Sequence, residues 1–169
     1  MKRLLILLLF AACGSGLYAQ EITTIILVRH AEKGFDEAGD PDLTEEGEKR
    51  AGELQRVLQD TEIDFIYSTP FKRTKQTVKF LAEARDLEVL DYNPFKLDDV
   101  IGIINDNRGK TILFSGHSNT TPVILNKLVG EDRYRQLDDK DYDNLYIVTY
   151  LSSEQAKVVS LEYGEDSEM

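Results

Sequence analysis

Short apolar runs alternate along this chain with longer segments whose apolar residues recur every third or fourth position. Ile25–Val28, Ile63–Tyr67, Leu87–Leu90 and Thr111–Ser115 are short, apolar or β-branched, and read as strands. Between them, Glu45–Leu58 carries Ala51, Leu54, Val57 and Leu58 toward one face. Phe71–Ala84 does the same with Thr77, Val78, Phe80 and Leu81. Leu97–Asn105 and Thr120–Val129 complete four predicted helices, the last stopped by Gly130. Gly34–Asp42 is a polar loop, and Thr44 with acids behind it reads as a helix start. The tail alternates instead: Leu145–Leu151 and Lys157–Glu162 flank Ser152-Ser153-Glu154, a hairpin pattern. Strands alternating with helices predict an α/β fold, a three-layer sandwich. Its central sheet is mostly parallel, has helices on both faces, and ends in a C-terminal antiparallel hairpin.

One segment does not fit that pattern. Lys2-Arg3 followed by the apolar run Leu4–Ala12 has the layout of an export signal, and is short for a membrane span. Two cleavages fit: after Ala19, or ahead of Cys13 with lipidation of that cysteine. An uncleaved buried helix is the plainer alternative. The expectation is therefore a signal over 1–19, one domain over 21–165, and a periplasmic or secreted protein, membrane-bound only if Cys13 carries lipid. Cys13 is the sole cysteine, so the domain has no disulfide and no cysteine-ligated metal. The net charge of -11 argues against nucleic acid as a partner, since that surface must be basic.

Against this acidic background the two histidines stand out. His30 follows the first strand in Arg29-His30-Ala31-Glu32-Lys33, and His117 follows the fourth in Ser115-Gly116-His117-Ser118. If these strands are parallel neighbours, both imidazoles lie at the carboxyl edge of the sheet, where such folds bind ligands. Arg29 and Arg73 fall at the same edge. A neutral imidazole can attack phosphorus, and arginine forks match phosphate oxygens in pairs. The helix opening after His117 adds backbone N–H groups suited to an anion. Taken singly, each residue has a structural reading; together they point to phosphoryl transfer.

The ordered blocks Leu27–Lys33, Leu43-Thr44-Glu45-Glu46-Gly47, Ser68 to Arg73-Thr74-Lys75-Gln76-Thr77 and Gly116-His117-Ser118 resemble the histidine phosphatase (phosphoglycerate-mutase-like) superfamily. The likeness is to its small phosphohistidine-phosphatase-like branch. It implies His30 as the phosphorylated nucleophile, with Arg29, Arg73, His117 and Ser68 around the phosphate, and no metal or organic cofactor. Where the acid-phosphatase branch has an Asp after the second His, this chain has Ser118. The stretch Asp91–Phe95 is too short for the mutase insertion. Glu32, Asp36, Asp91 and Asp98 are all conceivable proton donors. Without an assigned donor, easily displaced leaving groups are favoured. The implied substrate is a small-molecule or envelope-attached phosphate compound. Lys33, Lys72 and Lys75 read as surface charges, Tyr92 and Phe95 as packing onto the core, and Tyr142-Asp143-Asn144-Leu145 as a structural approach to the hairpin. Rival readings are a non-catalytic phospholigand-binding protein, a metal-dependent hydrolase using both histidines, and a mutase.

Overall fold

The computed structural model describes residues 21–167. The segment expected to be an export signal, Cys13 and both candidate cleavage points lie outside the described residues. Six strands and four helices follow in the order β1 Thr23–Arg29, α1 Glu45–Val57, β2 Phe65–Ser68, α2 Lys72–Arg85, β3 Val89–Asp91, α3 Leu97–Asp106, β4 Thr111–Gly116, α4 Thr120–Val129, β5 Asn144–Ser152 and β6 Gln155–Glu162. They form one sheet with strand order β3-β2-β4-β1-β5-β6. β3, β2, β4 and β1 run parallel, while β5 pairs antiparallel with β1 and β6 with β5. This is the predicted architecture, hairpin included.

The alternation of β1 separates two cores. Ile25 and Leu27 point into a cluster with Ile104, Phe114, Leu125 and Leu128, which fixes α3 and α4 on that face. Ile26 and Val28 point the other way, against Leu54, Ile66, Val78 and Leu81, which fixes α1 and α2. Every one of these side chains is essentially inaccessible to water. At roughly 25 cal/mol per Å² of apolar area removed from water, such packing is the main favourable term.

Two facing assignments need correction. Val57 and Phe80 were expected inside and are 41% and 39% exposed. Ala51, Leu54 and Leu58 already complete the inner stripe of α1 at spacings of three and four residues, so Val57 falls to the side. In α2 the stripe is Thr74, Thr77, Val78 and Leu81, with Ala82 beside it, and Phe80 lies off it.

Two close approaches shape the start of α1. Thr44 caps it, its hydroxyl accepting from Gly47 N–H at 3.1 Å, and Thr44 N–H donates to the Glu32 carbonyl at 2.9 Å. A Cβ at Gly47 would sit 2.2 Å from that same Glu32 oxygen, so only glycine lets the helix rest on the chain leaving β1.

β1 and β4 form the switch point of the sheet. From β1 the chain passes to α1 on one face, and from β4 to α4 on the other. The two strands end in register, Arg29 beside Gly116. A crevice between diverging connections is where open α/β sheets take ligands. His30 and His117 are the next residues on each strand.

Candidate active site

The His30 amide extends the ladder, donating to the Gly116 carbonyl at 2.9 Å. This brings the two rings together edge to face, their centroids 5.4 Å apart. His30 is 3% exposed. Its Nδ1 lies 2.8 Å from the Ala31 carbonyl, a group that can only accept, so Nδ1 carries the proton. The lone pair is therefore on Nε2. Desolvation, and then the positive field of Arg29 together with His117 and Arg73, push the imidazole down to about 3, against the opposing pull of the Ala31 carbonyl. His30 is neutral at physiological pH, with the Nε2 lone pair available.

His117 is held by a relay of hydroxyls. Its Nε2 lies 3.0 Å from Thr69 Oγ1, which lies 2.9 Å from Thr74 Oγ1. The single Thr74 proton is directed at the Thr69 and Phe71 carbonyls. Thr69 must then donate to Thr74 and accept from His117, which assigns the proton of His117 to Nε2. Burial, then Arg73 and Arg29, lower this ring to about 4. Phe71 packs edge-on against it at 5.2 Å.

Arg29 is 2% exposed, yet ends in no carboxylate. Its Nη1 donates to the carbonyls of Asp138 (2.5 Å) and Asp141 (2.7 Å), and Nη2 to that of Asp139 (2.9 Å). The guanidinium also lies 4.1 Å from the centre of the Tyr142 ring, and that ring is 5.9 Å from His30. Arg73 has its guanidinium 4.4 Å from the Phe71 ring centre and 3.6 Å from Asp40. Arg29 Nε, Arg73 Nε and Arg73 Nη1 are buried and have no hydrogen-bond acceptor among the described residues. Desolvation lowers both arginines from their usual value. Buried donors on two cations, aimed at no acceptor, are what an oxyanion would satisfy.

Hydroxyl pins lock this arrangement together. Thr77 Oγ1 donates to the Arg73 carbonyl at 2.7 Å and accepts from Ala31 N–H at 2.9 Å, tying α2 to the residue beside His30. Ser115 Oγ donates to the Thr74 carbonyl at 2.9 Å. Gln76 accepts from Leu43 N–H and donates to Asp42, docking the loop after β1. Asp40 serves the uncapped start of α2, its Oδ1 accepting from Lys72 N–H.

His30, His117, Arg29 and Arg73 are thus brought to one place, and Ser68 is not presented there. Ser68 is fully buried, and its hydroxyl donates to the Thr69 carbonyl. The next residue, Thr69, makes the contact with His117. Sequence reasoning also missed Phe71 and Asp40 and read Tyr142 only as structural; Phe71 meets His117, Asp40 meets Arg73 and Tyr142 meets Arg29 and His30 only through the fold. Of the four conceivable donors, Glu32 is committed to a two-pronged ion pair with Arg50. Asp91 pairs with Lys75 at 2.7 Å, Asp98 lies 3.7 Å from Lys127, and Asp36 accepts from Ala38 N–H. Lys72 and Lys75 are surface residues facing acids, as expected. Tyr92 packs on Phe114, whereas Phe95 is 78% exposed, contrary to the core packing expected of it. Phe95 instead lines a groove of about 780 Å³ that reaches Asn119 and Thr120, just beyond His117. Among the described residues, no three His, Cys, Asp or Glu side chains converge as metal ligands.

Residues 25–94 match the model of the histidine phosphatase superfamily, branch 1. Over that stretch, 70 of the 169 residues, the chain is similar to this superfamily. Over 72 residues it is 46% identical to phosphoserine phosphatase 1 of Hydrogenobacter thermophilus, a match covering 39% of this chain and 34% of that protein. The chain therefore aligns with about a third of that relative's length. Its fold is similar to a phosphoserine phosphatase mutant from Entamoeba histolytica in complex with phosphoserine, at 16% identity and a TM-score of 0.64, covering 83% of this chain and 96% of that one. It is also similar to the protein histidine phosphatase SixA complexed with tungstate, at 17% identity and a TM-score of 0.65, covering 82% and 96%. These likenesses are of fold: the α/β sandwich is shared.

Proposed function

We propose that this protein is a metal-independent phosphatase that works through a phosphohistidine at His30. The observation that carries the reading is the group of acceptorless buried N–H donors of Arg29 and Arg73 beside a neutral His30 whose Nε2 lone pair is free. In the first step Nε2 attacks phosphorus, the N–P bond forms, and the bond to the leaving oxygen breaks. The leaving group departs with a proton taken from solvent or supplied by the substrate itself. Water then attacks the phosphohistidine, returning His30 to its neutral state and releasing inorganic phosphate. Charge on the three transferring oxygens is met by the acceptorless N–H donors of Arg29 and Arg73, while the neutral His117, its Nε2 proton directed at Thr69, packs against His30. None of the four carboxylates considered as donors is both unpaired and in contact with these groups, which favours substrates with good leaving groups. The phosphoserine phosphatase activity named for two of the similar proteins supports small phosphorylated compounds as the substrate class. The sequence of residues 1–19 supports export, with an envelope-attached or nutrient phosphate as target.

The test is hydrolysis of an aryl phosphate in the presence of EDTA by the parent and by His30→Ala. Turnover in the parent alone supports the reading. Loss of turnover on chelation would favour the metal-dependent hydrolase. Phosphate binding without turnover in the parent would favour the binding protein, since an activated leaving group needs no donor.

A further inference from the structure

Arg29 approaches the site with its guanidinium held from behind by backbone, and that backbone is itself held by distant residues. The loop Asp138–Tyr142 supplies three carbonyls and one aromatic ring to Arg29. This loop is exposed at Asp138, Asp139 and Lys140 and belongs to no helix or strand. What fixes it is the end of the chain. Tyr142 N–H donates to Ser167 Oγ at 2.8 Å, and Ser167 N–H donates to Asp143 Oδ2 at 2.8 Å. Tyr163 N–H donates to the Asp143 carbonyl at 2.9 Å, and Asn144 donates to the Asp141 carboxylate.

The terminal segment is in turn gripped by Arg50. Although 5% exposed, Arg50 donates through Nη1 to the Tyr163 carbonyl at 2.7 Å and through Nη2 to that of Glu165 at 2.9 Å. Its other donors take both oxygens of Glu32, at 2.7 to 3.1 Å. Glu32 lies three residues after Arg29 in the same motif. The contacts therefore close a ring: Glu32, Arg50, Tyr163–Ser167, Asp143, the Asp138–Tyr142 loop, and back to Arg29.

We propose that Tyr163–Ser167, gripped by the Glu32–Arg50 pair, is a latch that positions Arg29 for phosphate. This rests on the phosphatase reading. Glu32, Arg50, Asp143 and Ser167 are positioning residues, because none of them is in contact with His30 or His117. The geometry explains why a buried Arg spends three of its five N–H groups on carbonyls. Those bonds orient the fork and leave its remaining donors directed elsewhere. It also accounts for an ion pair that links Arg50, in the middle of α1, to Glu32 of the motif.

Ser167 is the link to cut, because it lies beyond β6 and belongs to neither apolar core. Ser167→Pro removes both its hydroxyl and its N–H, whereas Ser167→Thr keeps both. Inorganic phosphate is titrated calorimetrically into the full-length parent and both variants, and into Arg29→Lys with and without Ser167→Pro. A displaced donor at a phosphate site costs on the order of tenfold in affinity or more. The latch predicts about tenfold weaker phosphate binding in Ser167→Pro, parent affinity in Ser167→Thr, and no further loss when Ser167→Pro is added to Arg29→Lys. Unchanged affinity in folded Ser167→Pro, or an equal loss in the Arg29→Lys background, overturns the latch and leaves the phosphatase reading standing. A parent that binds no phosphate overturns both. If Ser167→Pro melts early, Ser167→Ala in the same cycle gives the same discrimination through the Tyr142 bond alone.

Discussion

Replacing His30 with glutamine should make the protein less sensitive to acid, although it removes the proposed nucleophile. In the unfolded chain His30 takes up its proton near pH 6.5, while in the folded protein burial and two arginines hold it back to about pH 3. Between those values the unfolded state binds more protons, so stability falls as pH falls. Above pH 6.5 the penalty vanishes; below pH 3 it is complete. Each pH unit inside this window is worth about 1.4 kcal/mol. From pH 7 to pH 4.5 the folded imidazole stays neutral, and the accumulated penalty is about 2.5 kcal/mol. That is a large share of the roughly 5–15 kcal/mol that stabilises a typical domain. Urea denaturation of the parent and His30→Gln at both pH values measures it. Carboxylates and His117 titrate in both proteins and largely cancel in the comparison. The parent should lose about 2.5 kcal/mol more than the variant, a difference in midpoint shift on the order of 1 M urea. Equal losses in the two proteins would refute the argument that His30 is kept neutral by its surroundings.

Two further outcomes test the scaffold. Gly47→Ala places a Cβ 2.2 Å from the Glu32 carbonyl oxygen and should cost about 1–3 kcal/mol, read as a lower melting temperature; an unchanged one would mean that α1 can shift freely. Thr77→Val orphans the buried Ala31 N–H and frees the Arg73 carbonyl, so it should cost about 1–3 kcal/mol of stability and lower kcat/KM for an aryl phosphate, with stability from denaturation and rates from steady-state assay.

The fold was legible because its strands are short apolar runs and its helices are periodic, two patterns that depend only on near neighbours. The pairing of His30 with His117 was legible for a related reason. Each follows a strand directly, so a parallel register was enough to place them together. Thr69 was missed because its role depends on Thr74 and on a ring 48 residues away. Ser68, implied by resemblance, turns its hydroxyl back onto its own chain. Arg50 looks in sequence like a charged residue on an exposed helix face. Only Glu32 at its guanidinium and two carbonyls from the far end of the chain make its burial tolerable. Such partnerships leave no periodic trace. The same holds for Val57 and Phe80, apolar residues one step off stripes that were already filled.

The strand order also sets a schedule for the emerging polypeptide. β1 sits between β4 and β5, which begin at Thr111 and Asn144, so the first strand made has no sheet neighbour until more than eighty further residues exist. Contacts this distant in sequence form slowly, because a long loop must close before they repay its entropy. β2 and β3 with α2 can associate earlier, since they follow one another closely. A nascent chain therefore carries His30 without a second imidazole beside it until His117 is made, and Arg29 without its carbonyls until the Asp138–Tyr142 loop follows. Assembly of the site thus waits for β4 and for the Asp138–Tyr142 loop, however early its first imidazole is made.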